Sequence, residues 1–253
     1  MYDIQKAPII KRLTALIFDL ILFATLSVGI GSLLQLITGF DGYTERLEEI
    51  YRSYEEEYSV DFGISASDYE FLSDEEKAVY EAANEALGED REATEVYNTI
   101  LNLVLFNASI SLFLSHMILE FGVPLLFKNG MTVGKKIFSI AVVRPDCVRI
   151  RPVQLFIRAI LGKYTFETMV PVLLVIMIYF GTLGSFGMLI LGGIGILQIV
   201  LLTVTRNNQL IHDLLADTCA VDYQSQKIFA SAEEKEEFLK KEEEERESRN
   251  PLY

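Results

Sequence analysis

The chain has 253 residues, of which 51% are hydrophobic, and a formal net charge of −14 from 22 basic and 36 acidic residues. One soluble domain rarely combines so much apolar and so much acidic character, so the two must be separated along the chain. The excess of acid, without a basic stripe, argues against nucleic acid as a partner. The two cysteines, Cys147 and Cys219, have no C-x-x-C spacing, which excludes a zinc finger, an iron–sulfur cluster and a disulfide-stapled fold.

Three long apolar runs predict membrane spans. They cover residues 13–37, 100–127 and 169–204, and each is longer than the roughly 20 residues that cross a bilayer as a helix. The last run would be about 54 Å long as a single helix, nearly twice the thickness of the hydrocarbon core. Residues 181–185 offer a break, so the sequence predicts an all-α membrane protein with four transmembrane helices. A three-span alternative would leave the C-terminal tail on the opposite side of the membrane.

An acidic insert follows the first span. Residues 41–99 hold 19 acidic and 4 basic side chains, a net charge of −15. Ser73 and Glu76 have the spacing of a capping box, which predicts the start of a helix and, with it, a small helical hairpin. The acidity has two interpretations, which stay open here. It is either a solvated surface that avoids anionic headgroups, or a face that gathers cations or docks a basic partner.

A basic segment follows the second span. Residues 137–143 and 148–151 predict a β-hairpin around a turn that contains Pro145. Pro152 then opens an amphipathic helix, which we expect to lie in the membrane interface. The tail, residues 231–253, is rich in Glu and Lys and indicates a solvated helix or a disordered segment.

The charges predict the orientation of the spans. Residues 128–167 hold 8 basic and 2 acidic side chains, so the positive-inside rule assigns them and the N-terminus to the cytoplasm and the insert to the outside. Four spans return the C-terminus to the cytoplasm. The predicted segments are residues 1–40 with the first span, 41–99, 100–127 with the second span, 128–168, 169–205 with the third and fourth spans, 206–230 and 231–253.

Ionisable side chains at membrane depth are the clearest functional clue, because hydrocarbon makes an unpaired charge costly. Arg12 and Asp19 lie seven residues apart on one face of the first span. Glu120 lies at a matching depth in the second span, one helical turn from His116. Two interpretations remain open. Arg12 pairs with Asp19 or Glu120 as a buried ionic clasp, or Asp19, Glu120 and His116 form a hydrated site for a monovalent cation or a proton.

The segment after the last run contains His212, Asp213 and Asp217. His212 and Asp213 are adjacent and diverge by about 100° on a helix, so their spacing is not that of a catalytic dyad. Asp213 and Asp217 share a helix face, but two carboxylates without a third ligand indicate no metal site. We expect Asp213 to contact one of the cytoplasmic arginines. With no nucleophile or nucleotide motif present, the sequence predicts no enzyme, catalytic residue, metal or cofactor.

Together these stretches resemble the RDD family of bacterial membrane proteins, which is named for an arginine and two aspartates. The resemblance rests on residues 10–19, 132–143 and 209–218, and it leaves the insert unexplained. It implies a bacterial cytoplasmic membrane and makes Arg12, Asp19 and Asp213 the signature positions. The further positions that match on the cytoplasmic side are Thr132, Gly134, Lys135, Arg158, Gln209, His212 and Asp217.

Two functions are compatible with this sequence. The resemblance implies either sodium/proton exchange or an adaptor role in assembling membrane complexes, since relatives of both kinds are described. Exchange would use the intramembrane carboxylates, and four helices would then act as a homo-oligomer. A non-enzymatic adaptor would instead bind another membrane protein within the lipid bilayer.

Overall fold

The computed structural model describes residues 4–249, with side chains up to residue 246. It divides into two compact units, one formed by Ser27–Leu112 and the other by the described residues on either side of that stretch. Helices predominate in both units. The described part of the chain contains one sheet, which has two strands.

Four helical stretches are long and apolar enough to cross a membrane. The first is helix α1, Ile9–Thr38. The second consists of helix α5, Arg91–His116, a π-helix that we call π1, Met117–Gly122, and helix α6, Val123–Phe127. Both contain the apolar runs from which the first two spans were predicted.

The third stretch begins earlier than predicted. Helix α8, Pro152–Phe156, continues without a break into a second π-helix, π2, Ile157–Met169, and then into helix α9, Val170–Tyr179. A turn leads to the fourth stretch, helix α10, Gly184–Val204. The charged side chains of the segment that begins at Pro152 predicted an interfacial helix separate from this span. The structure joins them, because no turn sequence interrupts the segment and its charged side chains find partners within their own unit.

The insert forms helices, as predicted. Helix α2 spans Phe40–Tyr58, helix α3 spans Ala66–Glu70 and helix α4 spans Asp74–Glu89. The predicted capping box is present: Ser73 Oγ accepts the backbone N–H of Glu76, and a carboxylate oxygen of Glu76 accepts the backbone N–H of Ser73 at 2.8 Å. The box satisfies two amides that would otherwise lack partners at the start of α4.

A small apolar core holds the helices of the insert together. Ile50 of α2, Leu87 of α4 and Ala93 of α5 are buried in one cluster. Tyr54 packs against this cluster and donates its hydroxyl to Asp90 at 3.0 Å. The insert is therefore a folded part of its unit, and its acidic side chains cover the outside of a packed core.

The sheet differs from the predicted hairpin. Strand β1, Ile140–Val143, pairs antiparallel with strand β2, Cys219–Asp222, which lies about eighty residues further along the chain. The predicted return strand, residues 148–151, makes a single bridge to β1 through Arg149, so the hairpin prediction is wrong. The reason is burial. The residues of β2 from Cys219 to Val221 are apolar and buried, and they cover β1 better than the alternately charged return segment can.

The sheet joins three segments of the chain, and this limits the number of membrane crossings that can separate them. On the N-terminal side, Gln5 accepts the backbone N–H of Asp222, and the N–H of Ala7 is bonded to Ala220, so this segment joins β2. Paired strands must lie on the same side of a membrane, because their backbone groups bond directly. Two candidate spans separate residue 7 from β1, and two more separate β1 from β2. The three-span alternative is therefore wrong.

Short elements complete this unit. Helix α7, Val133–Ile137, precedes β1, and helix α11, Ile211–Leu215, precedes β2. The tail forms helix α12, Ala232–Arg249, and its Phe238 ring packs 5.5 Å from that of Phe229. The predicted tail helix thus contacts the rest of the unit, while residues 250–253 lie outside the described residues.

Candidate functional site

A fully buried carboxylate lies between two arginines. Asp213 Oδ1 is 3.0 Å from a guanidinium nitrogen of Arg158, and Asp213 Oδ2 is 3.4 Å from one of Arg12. The side chains of Asp213 and Arg158 are 0% and 5% exposed. Burial by itself raises the pKa of Asp213, but the charges of Arg158 and Arg12 outweigh that effect and lower the pKa to about 2. Asp213 is therefore an anion that joins α1 and the third span to the segment after α10.

Local structure fixes the Asp213 carboxylate in this position. Asp213 stands in the first turn of α11, where its Oδ2 accepts the backbone N–H of Leu210 at 3.3 Å. The Thr218 hydroxyl donates to its Oδ1 at 3.3 Å. A carboxylate at the third residue of a helix can accept the free backbone N–H of the residue before the helix, so the same side chain caps the start of α11 and binds two arginines.

Arg12 does not form the predicted clasp. The structure pairs it with Asp213 and with the backbone carbonyl of Asn208, instead of with Asp19 or Glu120. Arg12 stands in the first turn of α1, close to the edge where the N-terminal residues join β2. The segment that precedes β2 returns to this place, and helix spacing alone could not have indicated it. The expected contact of Asp213 with one of the arginines assigned to the cytoplasm is made by both Arg158 and Arg12.

Asp19 is bound by the start of α7. Its Oδ1 accepts the backbone N–H of Gly134 at 2.7 Å, and its Oδ2 accepts the Thr132 hydroxyl at 2.5 Å. Thr132 is also the N-cap of α7, because its oxygen accepts the backbone N–H of Lys135. A Cβ added to Gly134 would lie 2.4 Å from the carbonyl oxygen of Ala15. Glycine is therefore required for α7 to approach α1 this closely.

Glu120 and His116 face the third stretch. Lys163 donates to a carboxylate oxygen of Glu120, and both side chains are 12–13% exposed. His116 Nε2 is 3.2 Å from the Thr168 hydroxyl, and its ring packs edge-on against Phe23 with centroids 4.4 Å apart. Glu120 and His116 therefore bond to different residues of π2, five positions apart.

Both helices are π-helical at this point of contact. Glu120 lies in π1, and Lys163 and Thr168 lie in π2. The hydroxyl of Thr168 donates to the carbonyl of Lys163, five residues back, as the wider π-helical turn allows. π-helices are rare and frequently occur at functional sites. A pattern based on 3.6 residues per turn cannot predict them.

His212 lies between two carboxylates. Its Nδ1 is 2.7 Å from Glu167 Oε1, which also accepts the side-chain N–H of Gln198 at 2.8 Å. Its Nε2 is 3.6 Å from Asp213 Oδ2. Burial is the main cause that lowers the pKa of His212, and the positive charge of Arg158 adds to it, so the imidazole is neutral near pH 7.

The remaining sequence-predicted positions have mixed surroundings. Lys135 is half-buried, and burial together with the charge of Lys163 lowers its pKa to about 7. Gln209 donates to the carbonyl of Thr218 at 2.7 Å and so supports the loop around Asp213. Asp217 is exposed and has a positive φ of 50°, because α11 ends before it. It does not share a helix face with Asp213 as the spacing predicted, and the described residues include no metal-ligating group of three or more His, Cys, Asp or Glu.

Comparison with known protein families identifies the family of this chain. The sequence matches the RDD family over residues 6–217, which is most of the chain. The chain belongs to the RDD family. Among the signature positions of this RDD protein, Arg12 and Asp213 bind each other, whereas Asp19 binds the Thr132–Gly134 motif. No curated protein and no solved structure matches the chain significantly.

Three residues of the third stretch bind site residues of this RDD protein and were not predicted from the sequence. Lys163, Glu167 and Thr168 bind Glu120, His212 and His116 in that order, and Gly162 makes room for His212. The signal was present: no turn residues separate Pro152 from the apolar run. Starting the span at Pro152 would have marked Lys163 and Glu167 as charges at membrane depth.

Proposed function

We propose that this RDD protein is a non-enzymatic adaptor in a bacterial cytoplasmic membrane, which binds another membrane protein within the lipid bilayer. The observation that carries the proposal is that the chain itself binds the four carboxylates Asp19, Glu120, Glu167 and Asp213. Each of them contacts a donor from an element other than its own. These contacts thus stabilise the unit. They act as a buried ionic clasp, but the paired residues differ from the predicted ones.

A carrier would need to release these contacts. A monovalent cation that enters at Glu120 must displace Lys163, which is tethered to the chain and largely desolvated. Separating a buried ion pair leaves one charge uncompensated and costs about 3–5 kcal/mol. An adaptor needs no such release, because its charges serve to keep the short elements on the spans in one arrangement.

The orientation is part of this proposal. We infer that the sheet and both termini are cytoplasmic and that the insert is external, because 8 basic against 2 acidic side chains stand between the second and third predicted spans. Glu57→Cys in the insert and Arg149→Cys after β1, each in a Cys147→Ala/Cys219→Ala background, test it. A membrane-impermeant maleimide should label the first variant in intact cells and the second only after permeabilisation. Labelling of the second variant in intact cells would invert the orientation.

A flux assay tests the adaptor against a carrier. In proteoliposomes with an imposed pH gradient, we expect sodium, lithium or potassium to dissipate the gradient no faster than in protein-free liposomes. Cation-dependent dissipation that Glu167→Gln abolishes would contradict the adaptor. Glu237→Gln on the exposed face of α12 is the matched control, because it removes one carboxylate outside the spans.

A native preparation tests the partner directly. Tagged protein released from its own membranes with a mild detergent should elute as a complex in constant stoichiometry with one other membrane protein. A tagged four-span protein of unrelated sequence serves as the control. A chain that elutes alone, or only with copies of itself, under several mild detergents would contradict the adaptor.

Cation/proton exchange is the second candidate, and one observation favours it. Glu167 is bonded to a histidine that is neutral near pH 7 and to Gln198, and its side chain is 21% exposed. Like Asp19, which is bonded to Thr132 and Gly134, Glu167 has no lysine or arginine among its hydrogen-bond partners, but unlike Asp19 it is bonded to a titratable imidazole. If the protein exchanges ions, Glu167 and His212 are better placed to bind and release a proton than Asp19, Glu120 and His116.

A further inference from the structure

An open groove lies on the insert between α3 and α4. Its volume is about 660 Å³, and it lies wholly within the Ser27–Leu112 unit. Its lining includes two tyrosine rings and two glutamate carboxylates. The lining side chains that matter here are Ile64, Tyr69, Glu70, Tyr80, Glu81 and Asn84.

The aromatic rings at the groove pack against one another. Tyr69 and Tyr80 meet edge-on with centroids 5.2 Å apart, and Tyr80 meets Phe62 at 5.7 Å. Phe62 in turn packs against the apolar core of the insert. Edge-on pairs of this kind add to the stability that burial provides, so the groove presents ring surfaces that are already in place.

The chain contains an example of the contact that the groove offers. The Lys77 ammonium lies 5.9 Å from the centroid of the Tyr69 ring, while the Tyr69 hydroxyl donates to Glu81 at 3.0 Å. A lysine is thus accepted over a tyrosine whose own hydroxyl is bound to a carboxylate. Lysine and arginine side chains are attracted to ring faces, and here the nearby carboxylates add to that attraction.

An aromatic side chain next in sequence to a groove residue is available for contact. Phe71 follows Glu70 along the chain, and its side chain is 88% exposed. Because aromatic side chains are enriched at protein interfaces, Phe71 offers an apolar contact to a polypeptide bound in the groove.

The negative net charge of the insert favours a positively charged polypeptide as the ligand. Only 4 of its side chains are basic against 19 acidic ones, and two of the basic ones are already ion-paired. Arg46 binds Glu49 and Glu92, and Arg91 binds Glu95. The remaining acid is complementary to a basic chain.

We propose that this groove binds a lysine- or arginine-rich polypeptide segment of the partner. The basic side chains lie over the Tyr69 and Tyr80 rings, and their charged ends meet Glu70 and Glu81. Phe71 contacts an apolar residue of the same segment. This inference rests on the adaptor function for its biological meaning, and it adds the chemistry of the partner, which the adaptor function alone does not give.

Peptide binding to the purified full-length protein tests the groove. The protein is placed in nanodiscs of phosphatidylcholine, whose zero net charge prevents the lipid from attracting the probe. The probe is a short fluorescein-labelled peptide of alternating lysine and serine, and its fluorescence anisotropy is followed at low and high salt. We expect saturable binding that weakens as salt rises, because exposed charges are screened.

Two double variants separate the groove from the overall charge. Glu70→Gln/Glu81→Gln removes the carboxylates of the groove, and Glu45→Gln/Glu48→Gln removes two exposed carboxylates of α2 that do not line it. The first should weaken peptide binding about tenfold and the second less than about twofold. A third variant, Tyr80→Leu, should also weaken binding, and circular dichroism checks that each variant keeps its helices. Equal weakening by both double variants, or absence of saturable binding in the wild type, would overturn the proposal.

The outcomes distinguish this proposal from the adaptor function. If the native complex with a membrane partner is found but the peptide does not bind the groove, the groove proposal fails and the adaptor function stands. If the peptide binds as expected but no native complex forms and ion flux is found, the adaptor function fails and the groove remains a binding site for basic polypeptides.

Discussion

Gly162 leaves the space in which His212 lies. A Cβ added to Gly162 would be 2.4 Å from His212 Cβ and 2.6 Å from His212 Cα, closer than real side chains approach. Because the nearby atoms include backbone, α11 would have to move away from π2. That movement would separate His212 from Glu167 and Asp213 from Arg158. Both contacts therefore require that residue 162 has no side chain.

Gly162→Ala should destabilise the protein by about 1–3 kcal/mol, the usual cost of overpacking a tight contact. The chain contains no tryptophan, but Cys147 and Cys219 are free and buried, so the heat-induced reaction of a thiol-sensitive dye reports unfolding of the unit around the sheet. Gly193→Ala in α10 is the control, because an added Cβ there meets nothing within 4 Å. Equal melting temperatures of the two variants would contradict the tight contact.

Asp213→Asn should cost about 3–5 kcal/mol, because it leaves Arg158 and Arg12 buried without a counter-charge. Asp217→Asn makes the same chemical change four residues later at an exposed position, and we expect no measurable loss there. The dye assay compares the two variants. A wild-type-like melting temperature for Asp213→Asn would mean that the arginines find another anion.

Thr132→Val should destabilise the protein by about 1–3 kcal/mol, since it removes the hydroxyl that binds the partly buried Asp19 carboxylate and caps the start of α7. Thr132→Ser keeps the hydroxyl and should be nearly neutral. Combined with Asp19→Ala, the Thr132→Val loss should shrink, with a coupling of about 0.5–3 kcal/mol, because either change removes the bond between the two side chains. Fully additive losses in this double-mutant cycle would show that the two side chains act separately.

Acidification should destabilise the protein in two separate pH ranges. Burial lowers the pKa of His212 below 6.5 in the folded protein, so the unfolded chain binds the proton more readily, and stability falls as the pH drops below about 6.5, by at most about 1.4 kcal/mol per pH unit. Asp213, whose folded pKa is about 2, contributes its loss only below about pH 4.

The variant His212→Gln isolates the first of these ranges. It removes the titrating group beside Glu167, Asp213 and Arg158, so the melting temperature should depend less on pH between about pH 6.5 and pH 5 than in the wild type. Asp217→Asn serves again as the control and should follow the wild-type curve. An unchanged slope in His212→Gln would assign the acid sensitivity to another group.

Local patterns made part of this fold predictable. The Ser73–Glu76 spacing identified the start of α4, and the apolar runs identified the spans, because capping and hydrophobic length depend on neighbours in sequence. The partner of Asp213 could be predicted only as a class, an arginine on the predicted cytoplasmic side. Its identity as Arg158 depends on how the third span packs against α11, which no local pattern describes.

Other contacts lay beyond sequence reasoning. The pairing of β1 with β2 joins residues about eighty positions apart, and the nearby return segment was the better local choice. Asp19 is bound by a backbone N–H of Gly134, and a main-chain donor has no residue type to recognise. The π-helical turns at Glu120 and Lys163 depart from the periodicity on which the prediction relied.

The pairing of β1 with β2 also bears on biosynthesis. β1 leaves the ribosome well before its partner strand, and the third and fourth helices must be inserted as a pair before β2 can reach it. A nascent chain with one helix misinserted would carry the two strands in different compartments, with their backbone amides unpaired. Closure of the sheet therefore requires correct insertion of the third and fourth helices, and a chain in which it fails exposes an unpaired strand edge that can pair with other chains.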